Sequence, residues 1–279
     1  MTKAMKMVAA SRLKKSKQLV EFSRPYAKKV REMASGLASN VATKDNFNEK
    51  FPLLSGKGKQ QKHLLVIVSS DRGLCGGLNS GAVKLAKQTI NNLTLQGREV
   101  KIFCLGKKAY EQLKTNYDKQ IIGTSFGIFK DIVKYESAEE VSAKLLELFN
   151  QDQFDVCQII YSKFKSAISQ EQTSQQLIPV PIKIEEVATQ QVALNSPMNY
   201  EASEEEILND LLPKNLTIQI YHSLLENSAS EQGARMAAME AATNNAAKMI
   251  KNLTLVYNRT RQANITRELI DIISGANVV

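Results

Sequence analysis

The stretch from Lys214 to Ser274 holds no proline and one interior glycine, Gly233, before Gly275 closes it. Read as a single helix it is about 90 Å long at 1.5 Å per residue. No ordinary domain core buries a helix of that length, so the reading is a rod that leaves its domain. Its texture changes along the way. Ile218, Tyr221, Leu224 and Leu225 fall on helical spacing, and an alanine-rich middle follows (Ala234, Ala237, Ala238, Ala241, Ala242, Ala246, Ala247) with Met236, Met239 and Met249 threaded through it. Alanine favours the helix and lets a partner backbone come close. Ile250, Leu253, Tyr257, Ile265, Leu269 and Ile272 then restore a large apolar stripe whose width suits one partner helix.

The partner is predicted at the other end of the chain. From Met1 to about Asn40 the apolar residues Met1, Met5, Val8, then Leu19, Phe22, Tyr26, Val30, Met33 and Leu37 follow steps of three and four, with Pro25 inside the pattern. The remaining faces are basic, from Lys3 and Lys6 through Arg12, Lys14, Lys15 and Lys17 to Arg24, Lys28, Lys29 and Arg31. They contribute to a formal charge of +9. Such a face is ordinarily solvated; it also fits an acidic protein surface, a nucleic acid or an anionic lipid, and charge alone does not choose. No recognition fold or aromatic stacking set supports nucleic acid.

Between the ends the period changes. After a polar connecting stretch, Thr43–Gln61, the continuous apolar run His63–Ser69 predicts a buried strand, Ser80–Leu95 a helix, Glu99–Leu105 a strand and Lys107–Lys114 a helix. A strand near Ile121 to Phe126, a helix over Ser137–Phe149, a strand over Asp155–Tyr161 and one more over Leu177–Ile184 complete the pattern. Alternation of this kind implies a parallel sheet with helices on its faces. Ser203 and Glu206 have capping-box spacing, and Pro213 sits at a natural first position for the long helix. The fold class is therefore α/β: a long antiparallel coiled coil of N- and C-terminal helices flanked by a Rossmann-like α/β domain. The expected divisions are 1–45 and 203–279 for the two shaft helices and 62–195 for the α/β domain.

Several classes of function lack raw material. Two histidines and three scattered cysteines (Cys75, Cys104, Cys157) offer no metal or redox spacing, and no apolar run reaches the roughly 20 residues of a membrane span. The loop Ser70–Asn79 after the first strand is glycine-rich, as a phosphate-binding turn would be. Its glycines do not fit G-x-G-x-x-G, no Lys-Ser/Thr pair follows, and the second strand ends in Leu105-Gly106 where a ribose-binding acid belongs. A tight structural turn is the better reading.

Four segments in order, Thr2–Ser11, Ser70–Asn79, Glu226–Met236 and Leu255–Leu269, resemble the gamma subunits of F-type ATP synthases over almost the whole chain. The resemblance implies a non-catalytic central rotor shaft inside a hexamer of alpha and beta subunits, its foot joined to the epsilon subunit and the membrane c-ring. On that resemblance the shaft is expected to carry c-ring rotation to the catalytic beta subunits for proton-driven ATP synthesis. The resemblance implies no cofactor and no catalytic residue in this chain. The expected location is peripheral on the energy-coupling membrane, on the bacterial cytoplasmic or the mitochondrial matrix side. It places Met5 and Arg235 at the acidic lever of a beta subunit, and Arg261, Gln262, Thr266 and Glu268 in an upper contact with beta. Members of the family begin about five turns earlier, which predicts a start truncated relative to them and roughly 30 Å of unpaired C-terminal helix. The competing readings are a basic coiled-coil adaptor that binds polyanions and a nucleotide-binding enzyme that uses the middle domain.

Overall fold

A computed structural model of the chain describes residues 1–41, 50–58, 60–181 and 204–276. Helix α1 (Thr2–Val41) and helix α6 (Glu204–Ala276) run antiparallel. Ser16 Oγ lies 3.4 Å from Ser228 Oγ, and Thr243 Oγ1 donates to Thr2 Oγ1 at 2.8 Å. Between them the chain builds α2 (Pro52–Ser55), β1 (Lys62–Val68), α3 (Leu78–Leu95), β2 (Glu99–Leu105), α4 (Lys107–Tyr117), β3 (Ile121–Ser125), α5 (Tyr135–Asn150), β4 (Val156–Phe164) and β5 (Gln170–Ile178). The sheet order is β3-β2-β1-β4-β5. Four strands are parallel and β5 pairs antiparallel to β4 at one edge.

Alternation along β1 divides the core in two. Leu65 and Ile67 join Val83, Ala86 and Ile90 of α3 and Leu113 of α4 on one face. Leu64, Val66 and Val68 join Val141, Leu145 and Phe149 of α5, Leu216, Ile220 and Leu224 of α6 and Val20 of α1 on the other. The shaft is thus one of the layers that cover the sheet. Every residue of α6 from Asn215 to Ala234 except Tyr221 and His222 is buried, whereas every residue from Asn244 to Ser274 except Asn258 is exposed.

Four expectations are corrected here. The long helix begins at Glu204, ten residues before Lys214, and Pro213 lies inside it. A proline interrupts one backbone hydrogen bond, but Leu208 and Leu212 bury against Leu37, Phe51, Leu54 and Val180 and hold the extra turns in place. Helix α1 turns inward only part of the stripe its large residues mark: Val30 and Leu37 are buried and Leu19 packs on the core, but Phe22, Tyr26 and Met33 are not buried. Ala9, Ser16, Val20, Ala27, Val30, Ala34, Leu37 and Ala38 are buried, while Phe22, Tyr26 and Met33 are 81%, 62% and 46% exposed. Closely approaching helices need small side chains at the seam. The last strand covers Gln170–Ile178 in place of Leu177–Ile184; as a polar edge strand it carries no apolar run to betray it. The described part of α1 pairs with α6 as far as Thr243, so roughly 50 Å of α6 extends past it among the described residues, against the 30 Å expected. The remainder of the α/β stretch to 195, most of the connecting stretch, Ile182–Ile184 and the Ser203 cap lie outside the described residues.

Candidate functional site

Where a doubly wound sheet receives a phosphate, this chain has put its own groups. The amides at the start of α4 are satisfied internally: Lys107 N donates to Asp71 Oδ1 at 3.2 Å, Lys108 N to Ser70 O at 3.0 Å and Ala109 N to Ser69 Oγ at 2.9 Å. The second carboxylate oxygen of Asp71 accepts from Phe129 N at 3.1 Å. An aspartate at a helix N-terminus occupies the anion position that a ligand would need. The glycine-rich loop is likewise closed on itself. Ser70 N donates to Asn79 Oδ1 at 3.0 Å, Asn79 Nδ2 reaches Cys75 Sγ at 3.2 Å, and Cys75 and Leu78 pack on Ala234 of the shaft.

In folds of this order, ligands bind at the carboxyl ends of the strands where the order reverses, here β1 and β4. That crevice is filled by α6. Strand β1 pairs with β4 only as far as Ile67 opposite Ile160, yet β4 continues to Phe164, so its last residues lose their neighbour on that side. Side chains of α6 take its place. Phe164 N donates to Glu226 Oε2 at 2.8 Å, Ser162 N to Asn227 Oδ1 at 3.4 Å, and Ser230 Oγ to Ser162 O at 2.8 Å. Helix α1 joins them: Arg24 donates from Nε at 3.0 Å and Nη2 at 2.8 Å to Oε1 of Glu226, a carboxylate with no exposed surface. Gly233 permits this approach, since a Cβ there would stand 3.2 Å from Ala167 Cα and 3.3 Å from the Phe164 ring.

The residues expected to meet a beta subunit separate into two groups. Arg235 is turned inward, with Nη2 donating to Glu231 Oε1 at 2.6 Å and to Gly73 O at 3.2 Å, and its side chain is 12% exposed. Met5 is half-exposed beside the Lys6 to Glu240 ion pair of 2.7 Å. Arg261, Gln262, Thr266 and Glu268 stand together on the exposed end of α6, about 40 Å from Arg235 along the helix. Glu226, Asn227 and Ser230 were not singled out individually from the sequence. The signal available was a run of polar residues inside a helix segment otherwise apolar on all sides.

Burial dominates the electrostatics. It raises the carboxyl of Glu231, against the pull of Arg235, and lowers His222 below its ordinary 6.5, with Arg24, Arg31 and Lys163 assisting and Glu226 opposing. His63 is also lowered, by burial and then by Arg98. A base whose folded value is depressed leaves the unfolded chain binding more protons below 6.5, so both histidines make stability fall as pH falls through that value. The melting temperature is expected to drop between about pH 7 and pH 5.5, and His222→Gln to flatten part of that slope. An unchanged slope in the variant would remove His222 from this account.

A family profile described as ATP synthase matches residues 1–279. The chain is 46% identical over 278 residues to the ATP synthase gamma chain of Rhodopseudomonas palustris (strain TIE-1), covering all of this chain and 93% of that one. It is 47% identical to the gamma chain of Nitrobacter winogradskyi with the same coverage. Among solved structures it is similar to a chain from the central stalk and c-ring of the Tetrahymena thermophila mitochondrial ATP synthase. That match has a TM-score of 0.62 at 28% identity and covers 87% of this chain and 99% of that one. A chain of the Euglena gracilis enzyme, at 20% identity, shares the fold with a TM-score of 0.62, covering 99% of this chain and 94% of that one. The chain belongs to the ATP synthase gamma chains, the central rotor stalk of that enzyme.

Proposed function

We propose that this rotor stalk works as three parts, a shaft helix over 1–45, an α/β domain over 62–195 and a second shaft helix over 203–279. The foot and domain take up rotation from the c-ring and the epsilon subunit, and the exposed end of α6 delivers it inside a hexamer of alpha and beta subunits. The nucleotide chemistry belongs to the beta subunits, and this chain contributes no catalytic group. The observation that carries this reading is the contrast along α6: a segment locked into the sheet, then a long exposed arm bearing Met249, Ile250, Leu253, Tyr257, Ile265 and Leu269. Such an arm needs a surrounding partner to cover it, and once covered it is stiff enough to push. Arg261, Gln262, Thr266 and Glu268 form its upper contact with beta. Met5 and Arg235 lie at the level of the beta lever, Arg235 acting there through Glu231 and Gly73 or after release from them. Contacts that must slide are best made weak, and exposed ion pairs are worth about 0–1 kcal/mol each.

Among the described residues no helix is long and apolar enough to cross a membrane. The shaft therefore attaches to the energy-coupling membrane through the c-ring, on the face where the hexamer sits. The test is reconstitution with alpha and beta subunits, followed by co-purification and ATPase turnover. A stoichiometric complex is expected, with turnover dependent on this chain and reduced about tenfold when Arg261 and Gln262 are both changed to alanine. Turnover independent of the chain would overturn the reading, as would binding of the isolated chain to heparin with none to the hexamer.

A further inference from the structure

We propose that the polar seam between α6 and the end of β4 carries torque from the α/β domain into the shaft, with Glu226, Asn227 and Ser230 as positioning residues. The inference rests on the rotor reading above and adds the place where rotation crosses from one part to the other. Two kinds of contact join the shaft to the sheet. The apolar contacts of Leu216, Ile220 and Leu224 hold α6 against the sheet but are non-directional, so they resist separation better than sliding. Hydrogen bonds weaken steeply when their geometry is displaced, so they resist shear. They cluster at the end of β4, with two further bonds nearer the foot, Thr217 Oγ1 to Ser142 Oγ at 2.9 Å and Gln175 Nε2 to Gln219 Oε1 at 3.3 Å.

The cluster at β4 is built from both shaft helices. Glu226, Asn227 and Ser230 are each fully buried, and their oxygens extend the hydrogen-bond ladder of β4 beyond the end of β1. Arg24 of α1 clasps Glu226 and also donates from Nη2 to Phe164 O at 3.4 Å, so Phe164 is held by its amide from one helix and its carbonyl from the other. One turn further along, Arg235 fixes the loop after β1 through Gly73 O. Fold stability accounts for part of this arrangement, since past the end of β1 the buried amides of Ser162 and Phe164 need acceptors. It does not by itself call for a buried charge pair such as Glu226 with Arg24. What the polar groups add is a fixed rotational register between helix and sheet, at the crevice that related folds leave open for a ligand.

The test uses the whole enzyme in vesicles, carrying Asn227→Ala, Ser230→Ala, Glu226→Gln or all three. Three quantities are read: ATP hydrolysis, ATP synthesis against a large ion gradient, and the torsional stiffness between a probe on the α/β domain and the hexamer, from single-molecule rotational fluctuations. The single variants each change only a few atoms, so stiffness remains measurable even if the triple variant assembles poorly. Hydrolysis by the hexamer and shaft is expected to stay near wild type, while stiffness falls about twofold and ATP synthesis against a large gradient falls several-fold. The exchange Arg24→Glu with Glu226→Arg restores an ion pair but removes the acceptor for Phe164 N, so it is expected to stay soft. Wild-type stiffness in variants that lower only the melting temperature would overturn the proposal and leave the rotor reading intact. A wild-type chain that fails to join the hexamer would overturn both.

Discussion

Gly106→Ala is expected to destabilise the isolated chain by about 2–5 kcal/mol, the sum of a strained left-handed backbone and an overpacked contact. Gly106 has φ +95°, and a Cβ there would lie 2.8 Å from Ser69 C, 2.9 Å from Ser69 Oγ and closer still to Ser69 O. None of these atoms is free to withdraw. Ser69 N donates to Leu105 O at 2.8 Å, Gly106 N to Ser125 O at 2.9 Å, and Ser69 Oγ accepts from Ala109 N at 2.9 Å, so β1, β2, β3 and α4 are pinned together at this residue. Gly127→Ala is the matched control: its φ is +86° but nothing lies within 4 Å of the added methyl, leaving a backbone penalty of about 1–2 kcal/mol. Urea unfolding of the two variants decides the matter. Equal losses would mean that the packing at Ser69 is soft. A loss of the expected size is a large share of the stability of a typical domain, so this one glycine holds together the carboxyl ends of β1, β2 and β3.

Much of this architecture is legible in the residues, and the reasons differ from element to element. Strand β2 falls on Glu99–Leu105 as its apolar run predicts, and α3, α4 and α5 differ from expectation by a few residues at their ends. Buried parallel strands announce themselves by continuous apolar runs. Strand β5 does not, because at the sheet edge Gln170, Gln172, Gln175 and Gln176 suffice. In α1 the large residues mislead in part: Phe22 and Tyr26 have the spacing of a core stripe but are exposed, while the packed face joins Val30 and Leu37 of that stripe to Ala9, Ala27, Ala34 and Ala38. Periodicity identifies a helix face but does not say whether bulk or closeness holds the partner. The seam residues are harder to read, since a glutamate in a helix is ordinarily solvated. Only the tertiary structure brings Arg24, 202 residues away, onto Glu226. The polar contacts at the exposed end of α6 rest on resemblance to the gamma subunits, because among the described residues those side chains meet only their own helix, as in the bond from Thr266 Oγ1 to Gln262 O.

Hydrogen exchange on the isolated chain is expected to split α6 into two regimes that differ at least about a thousandfold in protection. From Leu216 to Ser230 the helix is enclosed by α1, α5 and the sheet, and its amides can open only when the domain itself unfolds. Beyond about residue 250 no other element covers it among the described residues, and Ile250, Leu253, Tyr257, Ile265, Leu269 and Ile272 are 49–68% exposed. A lone helix in water is marginal, because each added residue gains little once the nucleus is formed, so those amides open locally and often. The exposed stripe also predicts what rescues them. Binding inside the hexamer removes it from water, and burial of apolar surface at about 25 cal/mol per Å² stabilises the arm where the sheet cannot. Protection beyond residue 250 is therefore expected to rise on addition of the hexamer while Leu216–Ser230 stays unchanged. Uniform protection in the isolated chain, independent of its concentration, would show that the arm is covered without a partner. The division of labour along α6 would then fail, since a segment already satisfied in isolation has no apolar surface left with which to seat itself in a bearing.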